Sequence, residues 1–144
     1  MSNNNQSAKQ ILKMMEQWDA ALWDKDFNRL MQDYADDFVI YDVMEHAHGP
    51  EGYKKLWENC ADYFGDHIGV ERKDIVIHAT DNMATASFLT RINGMKEEPE
   101  GDMAQSWLRG TVCYQKIDGA WKVIHEHVSF PTDCMNERPF YLLD

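Results

Sequence analysis

The apolar period of this chain changes once, near Gly65, from about 3.6 residues to two. Before that point Ile11, Met15, Trp18 and Leu22 fall on one stripe and predict a helix over 8–24. Asp26 is placed to cap a second helix carrying Phe27, Leu30, Met31 and Tyr34. A short strand is expected over Phe38 to Val43. After the Gly49-Pro50 break comes a third helix carrying Tyr53, Leu56, Trp57, Cys60 and Phe64, which stops at Gly65. Beyond it, strands are expected over Ile68 to His78, Met83 to Ile92, Ala104 to Lys116 and Trp121 to Ser129. Asp81-Asn82 and Asp118-Gly119 mark the hairpin turns, and Asn93 to Met103, with Glu97, Glu98, Glu100, Asp102 and Pro99, reads as an acidic loop. Helices first and strands after is the α+β pattern. The expected architecture is a cone-shaped, curved, antiparallel (mixed) sheet with three N-terminal helices covering its concave face.

A length of 144 residues fits one domain. Its expected span is 8–130, after a polar, disordered N-terminus (1–7) and before a C-terminal extension (131–144) whose Pro139 to Leu143 run is apolar enough to dock. With 25 acidic against 14 basic residues the net charge is −11. Such a chain is repelled by phosphate backbones and anionic lipid, so no nucleic acid and no membrane are expected as partners. No run approaches the ~18 apolar residues of a membrane span, and no signal peptide is evident. Cys60, Cys113 and Cys134 are odd in number and widely spaced, which suits free thiols and a cytoplasmic location.

Three stretches carry a family resemblance. They are Ala20 to Phe27 with Tyr34-Ala35-Asp36-Asp37; Tyr41-Asp42 with His48 to Tyr53; and Arg109-Gly110-Thr111, Lys116, Asp118-Gly119, Trp121-Lys122-Val123 and His125 to Ser129. Together they resemble the nuclear transport factor 2-like superfamily, and more closely its SnoaL-like and ketosteroid-isomerase-like branches, over about residues 8–130. The resemblance implies a pocket between helices and sheet, no cofactor, and a homodimer through the outer sheet face. It does not imply one activity, because function resides in sites and not in folds.

Asp42 stands where the resemblance puts a ketosteroid isomerase's general base, and burial would raise its pKa toward working pH. The other reading is a strand-end cap that hydrogen-bonds backbone in the turn. The isomerase's two oxyanion donors are replaced by Trp18 and Cys113, which argues against steroid isomerisation. Counting back from the Asp118-Gly119 turn pairs Thr111 with Glu126, and Arg109 lies diagonal to it. The matching positions of ketosteroid isomerases point into the pocket, so the resemblance implies an inward set of Arg109, Thr111, Cys113, Glu126 and Val128. Arg109 and Glu126 then form either a plug or a catalytic pair. Trp18, Trp57 and Phe88 are the aromatic residues expected to touch a ligand. Trp121, His125 and His127 are assigned together to the outer, dimer-forming face. The two His-x-His pairs (46/48 and 125/127) are too weak a signal for a metal site in a chain that begins with helices. The expected function is binding of a small, largely apolar molecule in a pocket of roughly 300 Å³ or more. Cofactor-free proton transfer or water activation would follow. The alternative is a non-catalytic ligand-binding or oligomerisation module.

Overall fold

The computed structural model of the protein describes residues 3–97 and 100–143. Residues 1, 2, 98, 99 and 144 lie outside them, and with them Glu98 and Pro99 of the expected acidic loop and the two ends of the chain. Helix α1 spans Asn3–Trp23, α2 Phe27–Leu30, β1 Tyr34–Tyr41, β2 His46–His48 and α3 Gly49–Cys60. A 3-10 turn at Ala61–Tyr63 leads into β3, Phe64–Ala79. Then follow β4 Met83–Met95, α4 Asp102–Gln105, β5 Leu108–Ile117, β6 Ala120–Ser129 and two short strands, β7 Thr132–Asp133 and β8 Arg138–Pro139.

The sheet is six-stranded, curved and mostly antiparallel, in the order β2-β1-β6-β5-β4-β3. β3 to β6 form the expected meander, and β1 joins β6 in parallel. Helices α1 and α3 pack on one face, called the inner face below. Ile11, Met15 and Leu22 of α1 and Tyr53 of α3 are buried there against Phe38, Ile40, Ile68, Ala86, Val112 and Val123. Burying an apolar side chain of this size contributes about 1.5–3 kcal/mol, and this shared cluster ties the helical half to the sheet.

Several boundaries differ from expectation. α1 starts at Asn3, not residue 8, so residues 3–7 are helical and Ser7 is buried. The second helix is one turn long: the Asp26 side chain accepts from the Arg29 amide as expected, but Tyr34 opens β1 opposite Val123. Sheet pairing there overrides helical spacing. Phe64 leaves the third helix for β3, where it pairs with Met95. β5 begins at Leu108, later than expected, because α4 intervenes. The C-terminal run does dock: Leu142 bonds to the Ser106 side chain and to the Trp107 backbone at 3.0 Å each.

The consequential difference is the register of the last hairpin. Asp118 and Gly119 both have positive φ (50° and 82°), the two-residue turn that Asp-Gly predicts. From that turn Tyr114 pairs with Val123 as expected, but Cys113 pairs with His125, so Ile124 is an extra residue on β6. This bulge shifts every later pair by one. Val112, not Thr111, therefore opposes Glu126, and Thr111 opposes His127.

Candidate functional site

A cavity of about 190 Å³ lies between α1, α3 and the inner face. β-strand alternation delivers its sheet-side wall: Val70 and Arg72 from β3, Phe88 and Thr90 from β4, Val112 and Tyr114 from β5, and Glu126 and Val128 from β6. The helices add Trp18, Tyr53 and Trp57, and Asp42 comes from the turn after β1. The volume is smaller than expected. A dry cavity of about 150 Å³ is known to hold benzene, so this one suits a ligand of one or two rings, not a polycycle.

Glu126 is the buried acid of the cavity, 7% exposed. The Tyr34 hydroxyl donates to its Oε1 at 2.7 Å, and the Tyr53 hydroxyl to its Oε2 at a longer 3.4 Å. Burial raises its pKa to about 7. The Tyr34 bond and the Arg72 charge oppose that rise, and the Asp42 charge adds to it. Both tyrosines are pushed well above their usual pKa by burial and by Glu126, so they remain donors. Asp42 is also raised, chiefly by burial, while the Val43 amide, donating to its Oδ1 at 2.8 Å, pulls the other way. The cavity thus holds two carboxylates: the Asp42 charge adds to the rise of Glu126, and the Glu45 charge adds to that of Asp42.

The cavity wall carries two cations, Arg29 and Arg72, and Arg72 is the more buried. Its Nη1 donates to both carboxylate oxygens of Asp19, at 2.5 and 2.6 Å. Its guanidinium carbon lies 5.5 Å from the Trp18 ring centre and 5.0 Å from that of Phe88. Gly110 makes this stack possible, because a Cβ there would stand 2.5 Å from the Phe88 ring. Burial nonetheless leaves the Asp19 pKa raised, the nearby Arg72 charge notwithstanding.

Of the residues expected at the site, Asp42, Glu126, Trp18, Trp57, Phe88 and Val128 line the cavity. Arg109, Thr111 and Cys113 do not. The Ile124 bulge turns them to the opposite face, where Arg109 Nε donates to Ser129 Oγ at 3.1 Å and Thr111 is exposed. No Arg109–Glu126 plug exists. The same bulge separates Trp121 from the two histidines. Trp121 is buried on the inner side, its indole donating to Gln10 Oε1 at 2.8 Å. His125 and His127 lie outward around Tyr41, and His125 Nδ1 bonds to the Val39 carbonyl at 2.7 Å. Tyr34, Tyr53 and Arg72 are among the polar cavity residues that the sequence reading missed. The tyrosines fall on apolar stripes and read as core. Arg72 had a usable signal, as it continues the inward alternation Ile68-Val70 of β3.

Cys60, Cys113 and Cys134 are free. Among the described residues no helix is long and apolar enough to cross a membrane, and no group of three or more His, Cys, Asp or Glu is placed to hold a metal ion.

The chain matches the SnoaL-like domain model over residues 11–133. No curated protein matches it. Among solved structures, an NTF2-like protein of unknown function from Pseudomonas putida is 28% identical, with 97% of each chain covered and a TM-score of 0.83. A candidate scytalone dehydratase from Novosphingobium aromaticivorans is 23% identical, covering 86% of this chain and 82% of its own, with a TM-score of 0.64. A candidate dehydratase of the NTF2-like family from Streptomyces avermitilis is 14% identical over 87% of this chain and 96% of its own, with a TM-score of 0.71. The last two likenesses concern the fold alone.

Proposed function

We propose, for a chain that belongs to the SnoaL-like family of the NTF2-like superfamily, that it binds a small, largely apolar molecule in the inner-face cavity and moves a proton on it without a cofactor. The observation that carries this reading is Glu126: a carboxylate with its pKa raised to about 7, on the wall of an otherwise mostly apolar cavity. A group with that pKa is present in both forms at neutral pH, so it can take a proton from carbon and return it. The Tyr34 hydroxyl fixes its orientation. Asp42 serves as the second carboxylate, and its charge disfavours anionic ligands. Proton abstraction next to a carbonyl is the simplest chemistry such a site supports. Elimination of water is the same step followed by loss of a β-hydroxyl, for which protonated Glu126 is a suitable acid.

The test needs no natural substrate. Mono- and bicyclic ketones are incubated with the protein in D₂O, and deuterium gain at the α-carbon is followed by NMR. The wild type is expected to accelerate exchange, and Glu126→Gln to lose that acceleration by a factor of about 100 or more, the lower end for a general base. Equal exchange in both proteins would defeat the catalytic reading. Ketone binding that survives without any exchange would favour the non-catalytic ligand-binding module.

A further inference from the structure

The two carboxylates of the cavity lack an ion-pair partner, and that describes what a ligand must bring. Glu126 accepts from the Tyr34 and Tyr53 hydroxyls, and Asp42 from the Val43 amide, all of them neutral donors. Among the described residues no Lys, Arg or His forms an ion pair with either acid. The two cations of the wall are engaged elsewhere, Arg72 by Asp19 and Arg29 by Asp24 and Asp26. No Lys or His is among the described residues that line the cavity, whereas Asp33 adds a third acid. Burial keeps the carboxyl of Glu126 raised in spite of the Arg72 charge, as expected of an acid with no cation bound to it.

The rings beside these acids suit a cation. Tyr53 and Trp57 stand one turn apart on α3 and share a face, with ring centres 6.4 Å apart. Trp18 meets Trp57 edge-on at 6.1 Å. The Tyr53 hydroxyl bonds to Glu126, and Asp42 lies close enough to Tyr53 to raise its pKa, so rings and acids share one part of the cavity. Asp42 and Trp57 are partly exposed, and both line the cavity. An aromatic face attracts an ammonium group, most strongly in a desolvated site, and Trp is the best such face. The protein already uses this arrangement once: the Arg72 guanidinium lies against the Trp18 and Phe88 rings and pairs with Asp19.

We infer that the ligand is an amine, an apolar body of one or two rings whose positively charged nitrogen sits among Asp42, Glu126 and the Tyr53 and Trp57 rings. This deepens the reading above and rests on its ligand site, but not on its proton transfer. Asp42 and Trp57 become specificity-determining residues: the first supplies the opposite charge and the second the ring face.

Three six-membered probes of similar size test this: cyclohexylammonium, cyclohexanol and cyclohexanecarboxylate. Affinities are measured by NMR titration above the pKa of Glu126. Cyclohexylammonium is expected to bind at least about tenfold more tightly than cyclohexanol, and the carboxylate most weakly of the three. Nuclear Overhauser contacts from the bound ammonium to the Trp57 indole should place it in the cavity. Asp42→Asn, nearly the same shape without the charge, should lower the ammonium-to-alcohol affinity ratio about tenfold, and Trp57→Leu should lower it too. Equal binding of ammonium and alcohol, or tighter binding of the carboxylate, would overturn the inference. So would ammonium bound without contacts to Trp57, which would mean attraction to the acidic surface alone, or an unchanged ratio in both variants. The unmodified protein decides the first three outcomes, so a variant that fails to fold leaves the question answerable. An ammonium preference with Glu126-independent ketone exchange would sink the proton-transfer reading and keep this one. Glu126-dependent exchange without the preference would do the reverse.

Discussion

At the scale of single residues, Glu126 couples the candidate chemistry to stability. Its folded pKa, about 7, lies above the ordinary 4.5. The folded state therefore holds the proton more tightly, and the stabilisation is complete below about pH 4.5 and lost as pH rises through about 7. Urea unfolding of the wild type should show stability falling by up to a few kcal/mol across that window, and Glu126→Gln should flatten the slope. Asp42 and Asp19 are shifted the same way and leave a residual slope. A wild-type slope equal to that of Glu126→Gln would mean that Glu126 is not the titrating group. Tyr34→Phe removes the donor that favours the ionised carboxylate. The Glu126 pKa, read from its side-chain ¹³C signal, should then rise further; a fall would show that the tyrosine stabilises the protonated form. Glu126 and Asp42 were singled out by the positions that the family resemblance gives them, and not by the register count, which paired Glu126 with the wrong residue. Tyr34 and Tyr53 were not, because a tyrosine on an apolar stripe reads as core until something buried meets its hydroxyl.

At the scale of elements, the β6 bulge decides which side chains enter the cavity. Deleting Ile124 should restore a regular ladder and leave Trp121, Val123 and Glu126 all facing inward. Deleting Lys122 instead should turn Trp121 out of the core, at a cost on the order of 3 kcal/mol. Chemical denaturation of the two deletions would compare them directly, and equal losses would contradict the bulge. Gly110 poses the complementary problem of space. Gly110→Ala places a methyl against the Phe88 ring, which must then move toward Arg72 or into the cavity. Overpacking of this kind costs about 1–3 kcal/mol. Thermal unfolding should register it, together with weaker binding of the cyclic ketones. The four meander strands and their order were legible beyond Gly65, as was the Asp118-Gly119 turn, whereas α4, β7 and β8 were not. The bulge was not: one extra residue leaves no mark on a two-residue alternation until both strands are aligned.

At the scale of the whole molecule, the outer face gathers Tyr41, His46, His125 and His127 on neighbouring strands β2, β1 and β6. Tyr41 is 43% exposed, with ring centres of all three histidines within 5.7 Å. Self-association through this face is the expectation carried by the family resemblance, now without Trp121. Sedimentation should show a dimer that Tyr41→Glu dissociates, because a charge would be buried in the contact. A wild-type monomer at all concentrations would end that expectation. The sequence by itself determined the helices-then-strands order, the meander and its final turn, because these follow from local periodicity and from residues with restricted backbone conformations. It also singled out the two carboxylates. Only the tertiary structure decided that Arg72, and not Arg109, faces them, because which residues of two strands share a face depends on pairing register, and a single bulge in the adjacent strand β6 shifts it. That neither carboxylate has an ion-pair partner among the described residues was likewise settled there, since whether a charge is paired depends on every element packed around it.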